Sequence, residues 1–189
     1  MGSSAYQQPF STVRLLPERL AEPLSVKAPT LWFVNSMSDL FQSGVPDSFI
    51  AQTFDTMRAA HWHTFQILTK RPERMQRYFA SHEAPPENAW LGTSVENIKQ
   101  GVPRIALLAS VRAATRFLSI EPLLEDLGTL DLTGIHSVIV GGESGHVGAI
   151  HPSAVQGAKS PVLLQAMGRL GAGRGAPLQG GQRADLPRA

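Results

Sequence analysis

The chain contains no cysteine in 189 residues. That absence removes disulfides, a thiolate nucleophile, thiolate zinc sites and cysteine-ligated iron–sulfur clusters together. Long apolar runs are also missing: stretches such as 31–34 and 138–140 fall far short of the roughly 20 residues of a bilayer span, so no membrane partner is expected. The N-terminus, residues 1–10, lacks a basic stretch followed by an apolar core, so no secretory signal is visible and a cytoplasmic protein is expected. No Ser-His-Asp order, no phosphate loop of the Gly-x-x-x-x-Gly-Lys type and no His-Glu-x-x-His is present. A strong excess of one charge is lacking too. The formal charge of +2 comes from 17 basic and 15 acidic residues. Five of the basic residues (Lys159, Arg169, Arg174, Arg183 and Arg188) and only Asp185 of the acidic ones lie from Gly157 onward. Residues 1–156 then hold 12 basic and 14 acidic groups, a net −2, which is not the charge of a nucleic-acid-binding surface.

Five short apolar runs, rich in β-branched or aromatic residues, fall at 31–34, 64–68, 89–92, 115–118 and 137–140. They read as buried strands. Between the first two, Pro46-Asp47-Ser48 followed by Phe49, Ile50, Phe54, Met57 and Ala60 at helical spacing predicts a capped amphipathic helix over 47–60. Pro72 opens a second helix, with Met75, Tyr78 and Phe79 on one face. Ile105, Leu107 and Leu108 mark a third, which Pro103 confines to the later half of 98–109. A looser connection over 123–135 ends in a Thr133-Gly134 turn. Strand and helix alternate, so the fold class is α/β, with parallel strands joined by helices. Five units do not close an eight-strand barrel, which needs about 250 residues, so a partial TIM-like barrel stands beside a complete open sheet. The expected organisation is an N-terminal arm over 1–27, the barrel domain over 28–156 and a tail over 157–189. That tail holds 7 of the 17 glycines and no aromatic residue. Such a composition favours disorder; only 162–170 has the apolar content for a short helix.

Polar groups gather after each strand, at the edge where a parallel α/β fold keeps its reactive face. Asn35, Ser36 and Asp39 follow the first strand; Thr69, Lys70 and Arg71 the second; Ser94, Glu96 and Asn97 the third. Ser119 and Glu121 follow the fourth, and Gly141, Gly142, Glu143, Ser144 and Gly145 the fifth. Glu96, Glu121 and Glu143 each stand two residues beyond a small residue, in equivalent positions on successive strands. A carboxylate in a crowded mouth is stable there only when paired with a cation, a metal or a hydrogen-bonding ligand, and Lys70 and Arg71 are the nearest cations. One reading is a pocket for a small molecule bearing an amino group together with a carboxylate or phosphate. The other reading of the same spacing is a ring of salt bridges and loop caps. Glu143 is the strongest of the three carboxylates, because its flanking glycines let a ligand approach the backbone. His61-Trp62-His63 has two imidazoles two residues apart but no convincing third ligand, and reads as a helix-to-strand loop rather than a metal site.

Five motifs in order carry a family resemblance: Phe33-Val34-Asn35-Ser36-Met37-Ser38-Asp39-Leu40-Phe41, then Gln66-Ile67-Leu68-Thr69-Lys70-Arg71-Pro72-Glu73-Arg74-Met75, then Trp90-Leu91-Gly92-Thr93-Ser94-Val95-Glu96-Asn97. Phe117-Leu118-Ser119-Ile120-Glu121-Pro122-Leu123-Leu124 and Val138-Ile139-Val140-Gly141-Gly142-Glu143-Ser144-Gly145 complete the set. Over about residues 1–152 the chain resembles the phage and prophage gp-thirty-seven/gp-sixty-eight-like proteins of unknown function. Members of that family look like radical S-adenosylmethionine enzymes. The resemblance therefore implies a partial barrel, an iron–sulfur cluster and S-adenosylmethionine.

Three departures follow. The cysteine segment is absent, Ile120 stands where the family usually carries cysteine, and the family's closing Phe-Phe-Lys-Gln-Trp-Gly does not appear. One coding string for 161–170, read one base later, yields that closing motif, which suggests a frameshift beginning between Ser153 and Pro161. Without thiolates no cluster chemistry is expected of this chain, and missing edge strands predict low solubility. Two function classes remain at this point. The first is an inactive relative of an enzyme with an inherited pocket for a small molecule or nucleic-acid-derived substrate. The second is a phage-related interaction module touching nucleic acid or protein through its basic tail.

Overall fold

A computed structural model describes residues 13–122, 125–141 and 163–166, the last for its backbone alone. After a 3-10 turn, Pro17–Arg19, the elements are α1 (Glu22–Ser25), β1 (Leu31–Val34), α2 (Asp47–Ala59), β2 (Thr64–Thr69) and α3 (Pro72–Ser81). β3 (Ala89–Ser94), α4 (Pro103–Ser110), β4 (Thr115–Ile120), β5 (Ser137–Val140) and β6 (Leu163–Ala166) follow.

All six strands are parallel and stand in the sheet in sequence order, β1-β2-β3-β4-β5-β6. An order without reversal is the winding of a β/α barrel, whereas a doubly wound sheet turns back at a switch point. Here the wind remains an open sheet, with β1 and β6 at its edges.

Alternation along the strands separates two faces. Phe65, Ile67, Ala89, Leu91, Leu118, Ile120, Val138 and Val140 share one core with Ile50, Phe54 and Met57 of α2, Met75, Tyr78 and Phe79 of α3, and Ile105 and Leu108 of α4. The helices thus cover one face of the sheet. The opposite face carries Gly92, Ser94, Phe117, Ser119 and Ile139 across β3 to β5. Phe117 is 1% exposed and lies over Gly92, its cross-strand neighbour. Toward the β1 edge the same face opens: Leu31 and Phe33 are 46% and 47% exposed.

The N-terminal arm is pinned by the His61-Trp62-His63 segment. The Thr30 amide donates to His63 Nδ1 at 3.0 Å, which leaves Nε2 as the protonated nitrogen, donating to the carbonyls of Pro23 and Val26. The Trp62 indole donates to the Val26 carbonyl as well. His63 is therefore a structural clasp. The Asn88 amide closes the far end of α2, donating to the carbonyls of Met57, Ala60 and His63.

Two expectations are corrected here. The stretch expected as a short helix at 162–170 contains β6, because pairing with β5 outweighs the helix preference of Leu, Gln and Ala. The expected side-chain cap of α2 is not made: Pro46 occupies the cap position and Asp47 turns instead to Arg74 at 3.0 Å.

Candidate functional site

Parallel strands deliver their carboxyl ends to one edge, and the residues that leave them are held by two adjoining networks. In the first, the turn after β1 starts at Asn35, whose φ of 58° is left-handed, a conformation Asn tolerates, and the Ser38 amide donates back to its carbonyl. This turn aims Asp39 at the end of β2. Asp39 Oδ1 accepts from the Phe41 amide (2.9 Å) and the Thr69 hydroxyl (2.8 Å), while Oδ2 accepts from the Lys70 amide (3.2 Å) and the Arg71 guanidinium (2.8 Å). Thr69 also accepts from the Arg71 amide. Asp39, Thr69 and Arg71 consequently satisfy one another, stitching β1 to β2. Ser36 is exposed beside them.

The second network centres on Glu96. β3 carries it past Ser94 into the interior, and it is only 7% exposed. Arg104, in the first turn of α4, reaches back to Glu96 Oε2 at 3.2 Å and to the Ser94 carbonyl at 3.0 Å. Lys70 forms an ion pair with Oε1, although that oxygen, fully buried, has no aligned hydrogen bond. The Lys70 side chain is itself 61% exposed. Burial raises the Glu96 pKa, but the close contact and charge of Lys70 and the charge of Arg104 outweigh it, so the carboxyl titrates below the ordinary carboxylate value. Arg104 was not anticipated from the sequence. The available signal was the need of a buried carboxylate for a full complement of cations, together with the tight bend at Gly101, where a Cβ would lie 2.7 Å from the Asn97 carbonyl. Asn97 shapes that bend, its side chain accepting from the Gln100 amide.

Glu121 follows β4 in register with Glu96, since Ser94 pairs with Ser119. It packs against Gly141: a Cβ there would lie within 2.5 Å of the Glu121 side chain. The expected equivalence of the three glutamates is corrected by the register of β5. Ile120 pairs with Val140, so the residue opposite Glu121 is Gly141, and Glu143 stands two positions further along the chain. Gly142, Glu143 and Ser144 lie outside the described residues. Among the described residues Lys70, Glu96 and Arg104 come into direct contact, as do Asp39, Thr69 and Arg71, while Glu121 makes no ion pair with either group.

An iron–sulfur cluster does not fit this donor set. The 189 residues supply no thiolate, and among the described residues no three His, Cys, Asp or Glu side chains converge as metal ligands. No described helix is long and apolar enough to cross a membrane. No curated protein matches the sequence, and no solved structure does. The model of one family, described as a protein of unknown function (DUF5131), matches residues 1–157. The chain belongs to the DUF5131 family.

Proposed function

We propose that the chain is a phage-derived relative of radical S-adenosylmethionine proteins whose 189 residues hold no cysteine ligand for a cluster, and that it keeps a ligand pocket at the strand ends. Its ligand is a small molecule carrying an amino group beside a carboxylate or phosphate. The phage and radical-enzyme relationship rests on the five sequence motifs. The pocket rests on one observation: the buried Glu96 Oε1 has no hydrogen-bond partner, and its ion pair is with a lysine that is itself mostly exposed.

Such a lysine exchanges partners easily. When Lys70 swings out to a ligand carboxylate or phosphate, Glu96 Oε1 is left for the ligand amino group, and the number of ion pairs rises without burying an unpaired charge. Arg104, 14% exposed and held by two acceptors, keeps Glu96 anionic and in place during the exchange.

S-adenosylmethionine and L-methionine both carry the required pair of groups. Calorimetric titration of the intact chain with each is expected to show saturable binding, weakened about tenfold or more by Lys70→Ala, the loss expected for one charge-assisted contact. Arg112→Ala, at an exposed cation after α4, is expected to leave affinity unchanged. Absence of saturable heat with both compounds, or equal affinity in Lys70→Ala, refutes the pocket.

A further inference from the structure

A different cluster lies between the start of α2 and helix α3. A cleft of about 450 Å³, open to solvent, is lined there by Ser43, Asp47, Arg74, Arg77, Tyr78 and Ser81. Asp47 and Arg74 neutralise each other, and the Arg74 guanidinium is further consumed by the carbonyls of Gln42 and Val45. Arg77, one turn along the same helix, is exposed, and its guanidinium makes no ion pair or hydrogen bond among the described residues. One full positive charge therefore faces the cavity uncompensated. Burial, and after it the charge of Asp47, pushes the Tyr78 hydroxyl upward from its ordinary pKa, so it remains a donor at neutral pH. Ser43, which also lines the cleft, carries a further hydroxyl. Ser81 is spent differently, its hydroxyl directed at the carbonyls of Arg77 and Tyr78.

A guanidinium and two neutral hydroxyl donors, with the nearby carboxylate already paired, make a site for an oxyanion. The volume exceeds what a bare ion needs and falls in the range of small-molecule sites, about 300–1,000 Å³. We propose that this cleft binds the phosphate group of a small phosphorylated metabolite, with Arg77 as the principal anion contact and Ser43 and Tyr78 as its hydrogen-bond donors. This site is separate from the Lys70–Glu96–Arg104 cluster and does not depend on it.

Titration calorimetry at fixed ionic strength tests the assignment, with ribose 5-phosphate, ribose and inorganic phosphate as titrants against the intact chain. The expected result is saturable binding of ribose 5-phosphate, weaker binding of inorganic phosphate and none of ribose. Arg77→Ala removes an exposed side chain and is expected to weaken ribose 5-phosphate binding about tenfold or more, whereas Arg112→Ala leaves it unchanged. Unchanged affinity in Arg77→Ala, or failure to saturate at about 10 mM ligand, overturns the site. Equal affinity for inorganic phosphate and ribose 5-phosphate overturns the metabolite assignment. A loss in Lys70→Ala that matches the loss in Arg77→Ala overturns the separation of the two sites.

Discussion

Replacing Gly92 by alanine tests how tightly the face opposite the helices is packed. In an ordinary strand interior this change is favourable by about 0.5–1 kcal/mol, because glycine loses more backbone freedom on folding. Here the new methyl would lie 2.5 and 2.6 Å from Cε1 and Cε2 of Phe117, with a further ring atom nearer still. Phe117 is 1% exposed, so its ring has no solvent to retreat into, and a planar ring yields less than the tip of a flexible chain. Overpacking of this kind costs about 1–3 kcal/mol, and contact with three ring atoms places Gly92→Ala in the upper part of that range. The net loss is about 1–2 kcal/mol, or a fall in Tm of about 2–8 °C for a chain of this length. Thermal and urea unfolding of Gly92→Ala, Phe117→Leu and the double variant form a cycle that isolates the contact. The double variant is expected to be more stable than the sum of the single changes implies, since leucine vacates the space the methyl needs. A Gly92→Ala protein as stable as the parent, or strict additivity in the cycle, refutes the reasoning.

Two further predictions concern the strand-end networks. Glu96 titrates below 4.5, so its contribution to stability is complete above that pH and is lost as the pH falls through the lower folded value. The stability difference between the parent and Glu96→Gln, measured by urea unfolding, is accordingly expected to be larger at pH 7 than at pH 3; an equal gap at both contradicts the ion-pair assignment. Asp39→Ala removes four accepted hydrogen bonds and leaves the Thr69 hydroxyl and Phe41 amide without that partner, which predicts a loss of about 1.5–3 kcal/mol. A change below about 0.5 kcal/mol in chemical denaturation, the range of inert surface substitutions, shows the stitch to be dispensable.

The strands were legible where apolar and β-branched residues cluster, and less so at their ends. β3 runs on through Thr93 and Ser94, and β4 through Ser119 and Ile120, because backbone pairing continues while Ser94 and Ser119 face each other across the ladder. A hydroxyl near a strand end looks like the start of a loop in sequence, and only the register shows otherwise. β6 was illegible for the opposite reason: Leu163–Ala166 suits a helix, and nothing local records the β5 edge it pairs with. At the site, the sequence placed Lys70 near a glutamate but assigned Arg71 to the same work, whereas Arg71 turns back to Asp39. The choice depends on which side of β2 each residue leaves, a tertiary fact. Arg104 stood outside the motifs altogether, on a helix whose first turn is brought beneath Glu96 by the Gly101 bend.

The unbroken order of the six strands bears on how the chain is made. Paired residues on neighbouring strands are between 20 positions apart (Phe117 and Ser137) and 33 apart (Leu31 and Thr64). No strand needs a distant one, so each unit leaving the ribosome can pair with its immediate predecessor, and the loop to be closed stays short. The order permits growth from the amino-terminal side like courses of brick, each new strand laid on the margin left by the one before it.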